Sequence, residues 1–230
     1  MNLVTGLAIP FLGTTLGSAM VFLMKNKMNS KVEKLLLGFA SGVMIAASIW
    51  SLIIPSIDMA SEQGKVAWIP AAVGFILGIA FLLVLDSLIP HLHLNNDKTE
   101  GIKAKLKKTT MMVFAVTLHN IPEGLAIGTG FQASINLGLS LAIVIAIHDV
   151  PEGISMAVPM KKGGMSKEKV IFYVIMSGIS TGIGALVGHL VGGISESIIA
   201  TSLSFAAGAM LYIVSGELTP EANNMYKGRM

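Results

Sequence analysis

Two stretches place side chains able to do chemistry in a repeated pattern: "HNIPEGLAIG" from His119 and "HDVPEGISMA" from His148. His, Pro, Glu and Gly recur at matching places in the two. On a helix, His119 and Glu123 stand at i and i+4 and share one face, and His148 and Glu152 repeat the arrangement. Asn120 and Asp149 follow each histidine, rotated by about 100°. An imidazole and a carboxylate on one face are ligands for a divalent cation. Two such faces brought together offer two imidazoles, three carboxylates and one amide, enough for one metal or for two that share bridging carboxylates. The set suits borderline ions such as Zn²⁺, Fe²⁺ or Mn²⁺, and the absence of cysteine argues against a copper(I) site. A lone buried histidine is more often a satisfied structural residue. Two copies of His-polar-x-Pro-Glu-Gly are hard to reach by chance.

These residues lie in apolar surroundings. The 230-residue chain is 53% hydrophobic and 13% charged, with mean hydropathy +0.75. A soluble domain carries about 25% charged residues, so the composition points to an integral membrane protein. Seven stretches are long and apolar enough to cross a hydrocarbon core about 30 Å thick: about 3–24, 35–57, 67–90, 110–130, 137–158, 170–191 and 198–216. The expectation is a single all-α transmembrane domain over 1–230. The first stretch lacks a positive flank ahead of it and is too long for a signal core, so it reads as a span.

The net charge is +3, but its placement excludes a nucleic-acid surface. All of the 16 Lys and Arg except Lys65 fall in alternate connections and the tail: 25–34, 91–109, 159–169 and the end bearing Lys227 and Arg229. By the positive-inside rule these segments are cytoplasmic and the N-terminus is outside, in the cell membrane.

Depth agrees with a shared site. His119 is nine residues into the fourth span and His148 eleven into the fifth, about 13 and 16 Å at 1.5 Å per residue. Both reach the midplane, and consecutive spans run antiparallel. Ionisable residues there are costly and mark pathways. No Lys or Arg lies inside a span, so these acids are neutralised by protons or by a cation from outside. Pro122 and Pro151 free the carbonyls of Leu118 and Ile147 beside the histidines, which is tolerated where backbone lines a cavity. Asp86 lies near the cytoplasmic end of the third span, and Glu217 ends the seventh. Gly38/Gly42, Gly74/Gly78, Gly124/Gly128 and Gly178/Gly182 have the spacing that lets membrane helices approach closely. "FASGVM" from Phe39 and "FAAGAM" from Phe205 sit in spans of opposite direction, the signature of an inverted repeat about spans four and five.

On these motifs and the order of spans, the chain resembles the ZIP (Zrt/Irt-like) family of divalent metal transporters, and looks closest to its short bacterial branch. The resemblance implies ion movement toward the cytoplasm through a midplane site. In it, His119, Glu123, His148 and Glu152 match primary ligands, and Asn120 and Asp149 match an adjoining second site. Asp86 and Glu217 resemble acids of a release route, and "PHLH" puts His91 and His93 where the family has a His-bearing loop. Two departures stand out. "SGISTG" has Thr181 where many members carry Glu, so a second metal would have one carboxylate fewer. The family has eight spans, and the last is expected to be missing here, as in a fragment.

The expected function is import of divalent metal, zinc first and also iron or manganese, by alternating access. No prosthetic group is expected: the metal is the substrate, with one or two ions bound. The partners are the ion, the bilayer and, as an admitted assembly, a second copy in a homodimer. The alternative is an intramembrane metal-dependent hydrolase. That chemistry needs an open metal position and a general base, and the HExxH spacing of zinc proteases is absent.

Overall fold

A computed structural model describes residues 3–23, 29–88, 108–162, 164–220 and 222–223. His91 and His93 lie outside these residues, as does most of the tail. Among the described residues the chain is helical with no strand. The elements are α1 (Leu3–Leu23), α2 (Ser30–Ala46), α3 (Ile54–Glu62), α4 (Trp68–Leu88), α5 (Lys108–Ala133), α6 (Ile135–Lys162), α7 (Lys167–Gly192) and α8 (Glu196–Ile213). A π-helical segment, Ala47–Ile53, fuses α2 to α3, and a second, Val214–Leu218, extends α8. Among the described residues these elements form seven helical rods.

Five of them are long and apolar enough to cross a membrane: Lys34–Glu62, Trp68–Leu88, Ile135–Val158, Lys167–Gly192 and Glu196–Leu218. In α1 the apolar stretch is shorter, Gly6–Met20. α5 is 26 residues long and carries His119, Asn120 and Glu123, polar groups that dilute its hydropathy.

The surface reads inside out. Trp68, Ile76, Leu77 and Leu83 on α4 and Phe172, Ile183 and Leu190 on α7 are exposed. Asn120, Glu123, His148 and Asp149 are buried. A water-soluble protein rarely exposes such wide apolar faces; lipid covers them without cost, and the interior collects the polar groups.

Local chemistry sets the turns. Asn29 caps α2 by accepting from the Lys31 amide at 3.0 Å, an N-cap interaction. Gly64 and Gly164 have φ of 68° and 86° in the turns before α4 and α7, where a Cβ would be strained. Ser134 alone separates α5 from α6. Its Oγ accepts from the Leu137 amide at 3.1 Å, while its own amide donates to the Gly130 carbonyl at 2.9 Å. A one-residue joint folds α5 and α6 into an antiparallel hairpin.

α5 packs most extensively on α7, α1 on α6, and α4 on α8. The α5–α7 crossing is backbone to backbone. A Cβ on Gly124 or Gly128 would strike the carbonyl oxygens of Thr181 or Ala185, and one on Gly184 or Gly188 would meet those of Ile121 or Leu125. Gly74 and Gly78 lie likewise on Thr201 and Phe205 of α8. The other two expected pairs differ. Gly38, Gly42 and Gly182 have no heavy atom within 4 Å of a Cβ among the described residues, and Gly178 meets only the side chains of Phe11 and Thr14. Spacing creates a groove; only the tertiary arrangement decides whether a helix fills it.

Candidate metal centre

The α5–α6 hairpin fixes the height of the two motifs. His119 and His148 lie 15 and 14 residues from Ser134, about 22 and 21 Å along their helices. Both helices run on through Pro122 and Pro151. The motifs face each other: His148 Nε2 is 3.2 Å from Glu123 Oε1.

Around that contact, Glu123, His148, Asp149 and Glu152 each bring one ligand atom to within 4.8 Å of the others. Glu123 is fully buried, His148 and Asp149 nearly so, and Glu152 partly. Their remaining valences are open. Both Glu123 oxygens, His148 Nδ1 and Asp149 Oδ1 lack a hydrogen-bond partner; Glu123 Oε1 has only the close approach of His148. At an effective dielectric of about 20, an ion pair at that distance is worth about 5 kcal/mol. Each buried carboxylate costs several kcal/mol to desolvate. One imidazole cannot offset three carboxylates, so the cluster in its charged form calls for a further cation.

Asn120 is buried on the neighbouring face of α5. Its Nδ2 donates to the Ser177 carbonyl at 2.9 Å, which leaves Oδ1 without a partner. One end of the amide is thus tied to α7 and the acceptor end stays available.

His119 does not join the four-donor cluster. Its Nε2 lies 2.9 Å from Glu217 Oε2, both side chains nearly buried at 13% and 12% exposure. Glu217 reaches it from the π-helical segment beyond α8. The two ion pairs are one helical turn apart along α5, about 6 Å. Asp86 is half-buried near the end of α4. Thr181 is buried on α7, its carbonyl against Gly124.

Two groups at the site carry no sequence signal of their own. One is the Ser177 carbonyl. The other is Thr14 of α1, whose hydroxyl donates to Asp149 Oδ2 at 3.1 Å. Neither is an acid or a histidine, so a search for ligands passes over both. Gly13 and Gly17, four apart around Thr14, are the one readable hint. At the opposite end from the lysine-rich connections, an open cavity of about 580 Å³ is lined by Asp58, Met59, Glu62, Gln132 and Glu196.

Known proteins share this pattern. The sequence model of the ZIP zinc transporter family matches residues 93–227. The zinc transporter GufA of Myxococcus xanthus is 34% identical, over 92% of this chain and 85% of that protein. The zinc transporter ZIPB of Bordetella bronchiseptica is 35% identical, over 96% of this chain and 72% of that protein. Human zinc transporter ZIP11 is 30% identical over 94% and 88%. A match across more than half the chain and identity at this level over most of its length leave one reading: the chain belongs to the ZIP family of metal transporters, membrane proteins that carry ions rather than enzymes that transform substrates.

Proposed function

We propose that this protein imports divalent transition-metal ions, zinc foremost and iron(II) or manganese(II) with it, by alternating access around the α5–α6 site. The observation that carries the reading is Glu123. It is fully buried, its oxygens have no partner beyond the close approach of His148, and it stands beside two further carboxylates with no Lys or Arg in the seven apolar stretches read from the sequence to neutralise them. A transported cation is the missing counter-charge. The relatives' printed names support zinc. Glu123, His148, Asp149 and Glu152 hold the ion, with Asn120 Oδ1 available for a second.

The inward direction is what the resemblance to the family implies, and the lysines bear on the orientation of the chain. Their bias toward alternate connections supports seven spans in the cell membrane with the N-terminus outside. On that orientation the His119–Glu217 pair lies one turn cytoplasmic of the cluster. It is the first station of the release route, to which Asp86 also belongs; His91 and His93, read from the sequence as part of that route, lie outside the described residues. The inverted repeat gains support from the π-helical segments, which begin eight and nine residues after Phe39 and Phe205. Each precedes a proline, Pro55 or Pro220. Matched irregularities in spans of opposite direction are consistent with an inverted repeat.

The test is zinc uptake into vesicles containing the purified chain and a trapped fluorescent indicator. Glu123→Ala and His148→Ala should each abolish it. Uptake unchanged in both variants would sink the proposal.

A further inference from the structure

α1 contributes neither an acid nor a histidine, yet it touches the metal cluster. Thr14 is 4% exposed, and its Oγ1 lies 3.1 Å from Asp149 Oδ2 and 3.2 Å from the Pro10 carbonyl. A hydroxyl has one proton to give, so these two acceptors compete for it. The reach depends on the α1–α6 crossing. A Cβ on Gly13 would strike the backbone of Ala146, one on Gly17 the Val150 carbonyl, and one on Gly153 the Thr14 carbonyl. These glycines bracket Asp149 on both sides and bring α1 within hydrogen-bond distance of it.

The consequence is an asymmetric carboxylate. Asp149 Oδ2 is held by Thr14, while Oδ1 is buried with no partner. We propose that Thr14 is a positioning residue for metal selectivity: by holding Oδ2, it presents Asp149 to the ion through Oδ1 alone. This rests on the reading of the Glu123–His148–Asp149–Glu152 cluster as the metal site. Coordination through one oxygen suits the four-ligand tetrahedral preference of zinc. Larger hard cations take six or more oxygens and accept bidentate carboxylates. Releasing Oδ2 therefore weakens zinc and favours the larger ion. The Pro10 carbonyl is the acceptor to which the hydroxyl turns when Asp149 moves.

The test uses the full chain, purified in detergent and in vesicles, with zinc and calcium as probes. Thr14→Val keeps the shape and removes the proton. It should raise the zinc Kd by chelator competition, and the zinc KM of uptake, about tenfold, the size of one hydrogen bond to a charged group. kcat should stay within about twofold on the same hydrogen-bond argument, and calcium competition should strengthen. Thr14→Ser should restore both zinc values. In an Asp149→Asn background, Thr14→Val should add nothing to the zinc Kd. An unchanged zinc Kd in Thr14→Val overturns the proposal. So does a Thr14→Ser variant as weak as Thr14→Val, which would show that the hydroxyl alone does not hold Asp149. A further loss in the Asp149→Asn background overturns it as well. Should Thr14→Val fail to accumulate, Thr14→Ala is read by the same criteria. His148→Ala separates the two readings. If it still binds and carries zinc, the metal-site reading fails; if it is inactive while Thr14→Val is normal, only the role of Thr14 falls.

Discussion

Glu123→Gln should push the stability of the empty and the zinc-bound protein in opposite directions. The substitution keeps the shape and removes one charge. In the empty protein, ionised Glu123 gains about 5 kcal/mol from His148 at 3.2 Å, at an effective dielectric of about 20. It also faces Asp149 and Glu152, whose ligand atoms are no farther than 4.8 Å away. Each such pair repels by about 3.5 kcal/mol on the same scale when both members are ionised. The two repulsions exceed the one attraction by about 2 kcal/mol, before the desolvation of Glu123 is counted. The variant without metal should therefore melt higher than wild type, by about 4–8 °C for a chain of this size. Zinc should then do less for it. At a zinc concentration a hundredfold above the wild-type Kd, binding stabilises wild type by about 2.7 kcal/mol. A variant that binds a hundredfold more weakly would gain only about 0.4 kcal/mol from the same solution. The assay is thermal unfolding in detergent with and without zinc, followed by intrinsic fluorescence. An empty Glu123→Gln less stable than wild type would refute the charge argument, and an undiminished zinc shift would remove Glu123 from the ligand set.

Three further outcomes follow from the packing and from the release route. Gly124→Val should lower the melting temperature by several degrees, because its side chain meets the Thr181 carbonyl at the α5–α7 crossing and overpacking costs about 1–3 kcal/mol. Gly38→Ala should be neutral or stabilising by up to about 1 kcal/mol, since no described residue comes within 4 Å of that Cβ and alanine is the better helix former; the same melts decide both. His119→Ala and Glu217→Gln should leave zinc affinity within a few-fold while cutting uptake about tenfold or more, the range seen when one positioned polar group is lost. Equal loss of binding and uptake would put His119 back among the primary ligands.

The spans are legible in the sequence because a bilayer demands long apolar runs and no other environment does. The four converging donors are legible for a related reason: an acid in such a run stands out, and i, i+4 spacing fixes its face. What escapes is whatever depends on a partner helix. His119 and His148 have near-identical neighbours in sequence, yet one joins the cluster and the other pairs with Glu217. The difference is made 98 residues downstream, where a π-helical segment turns Glu217 toward α5. Gly38 and Gly124 open the same spacing, but among the described residues Gly124 has a helix against it and Gly38 has none. Thr14 is invisible for want of charge. Its role depends on Gly13, Gly17 and Gly153 closing the gap to α6.

The Asn120 and Asp149 pair shows how such contacts can shape specificity. At those two positions the repeated motif differs, amide on α5 and carboxylate on α6. Each side chain has two polar ends, and in each one end is committed: Asn120 Nδ2 to the Ser177 carbonyl of α7, Asp149 Oδ2 to the Thr14 hydroxyl of α1. The remaining ends, Asn120 Oδ1 and Asp149 Oδ1, are buried oxygens without partners. The flanking helices α1 and α7 thus supply no ligand identified in the cluster, yet they decide which atoms of α5 and α6 remain to act as ligands. The repeat on α5 and α6 sets which donors exist, and α1 and α7 each engage one end of the side chain they touch, leaving an oxygen at the other end free. On the proposed metal site, changes in α1 or α7 are expected to alter which ion is carried without touching either His-Glu motif.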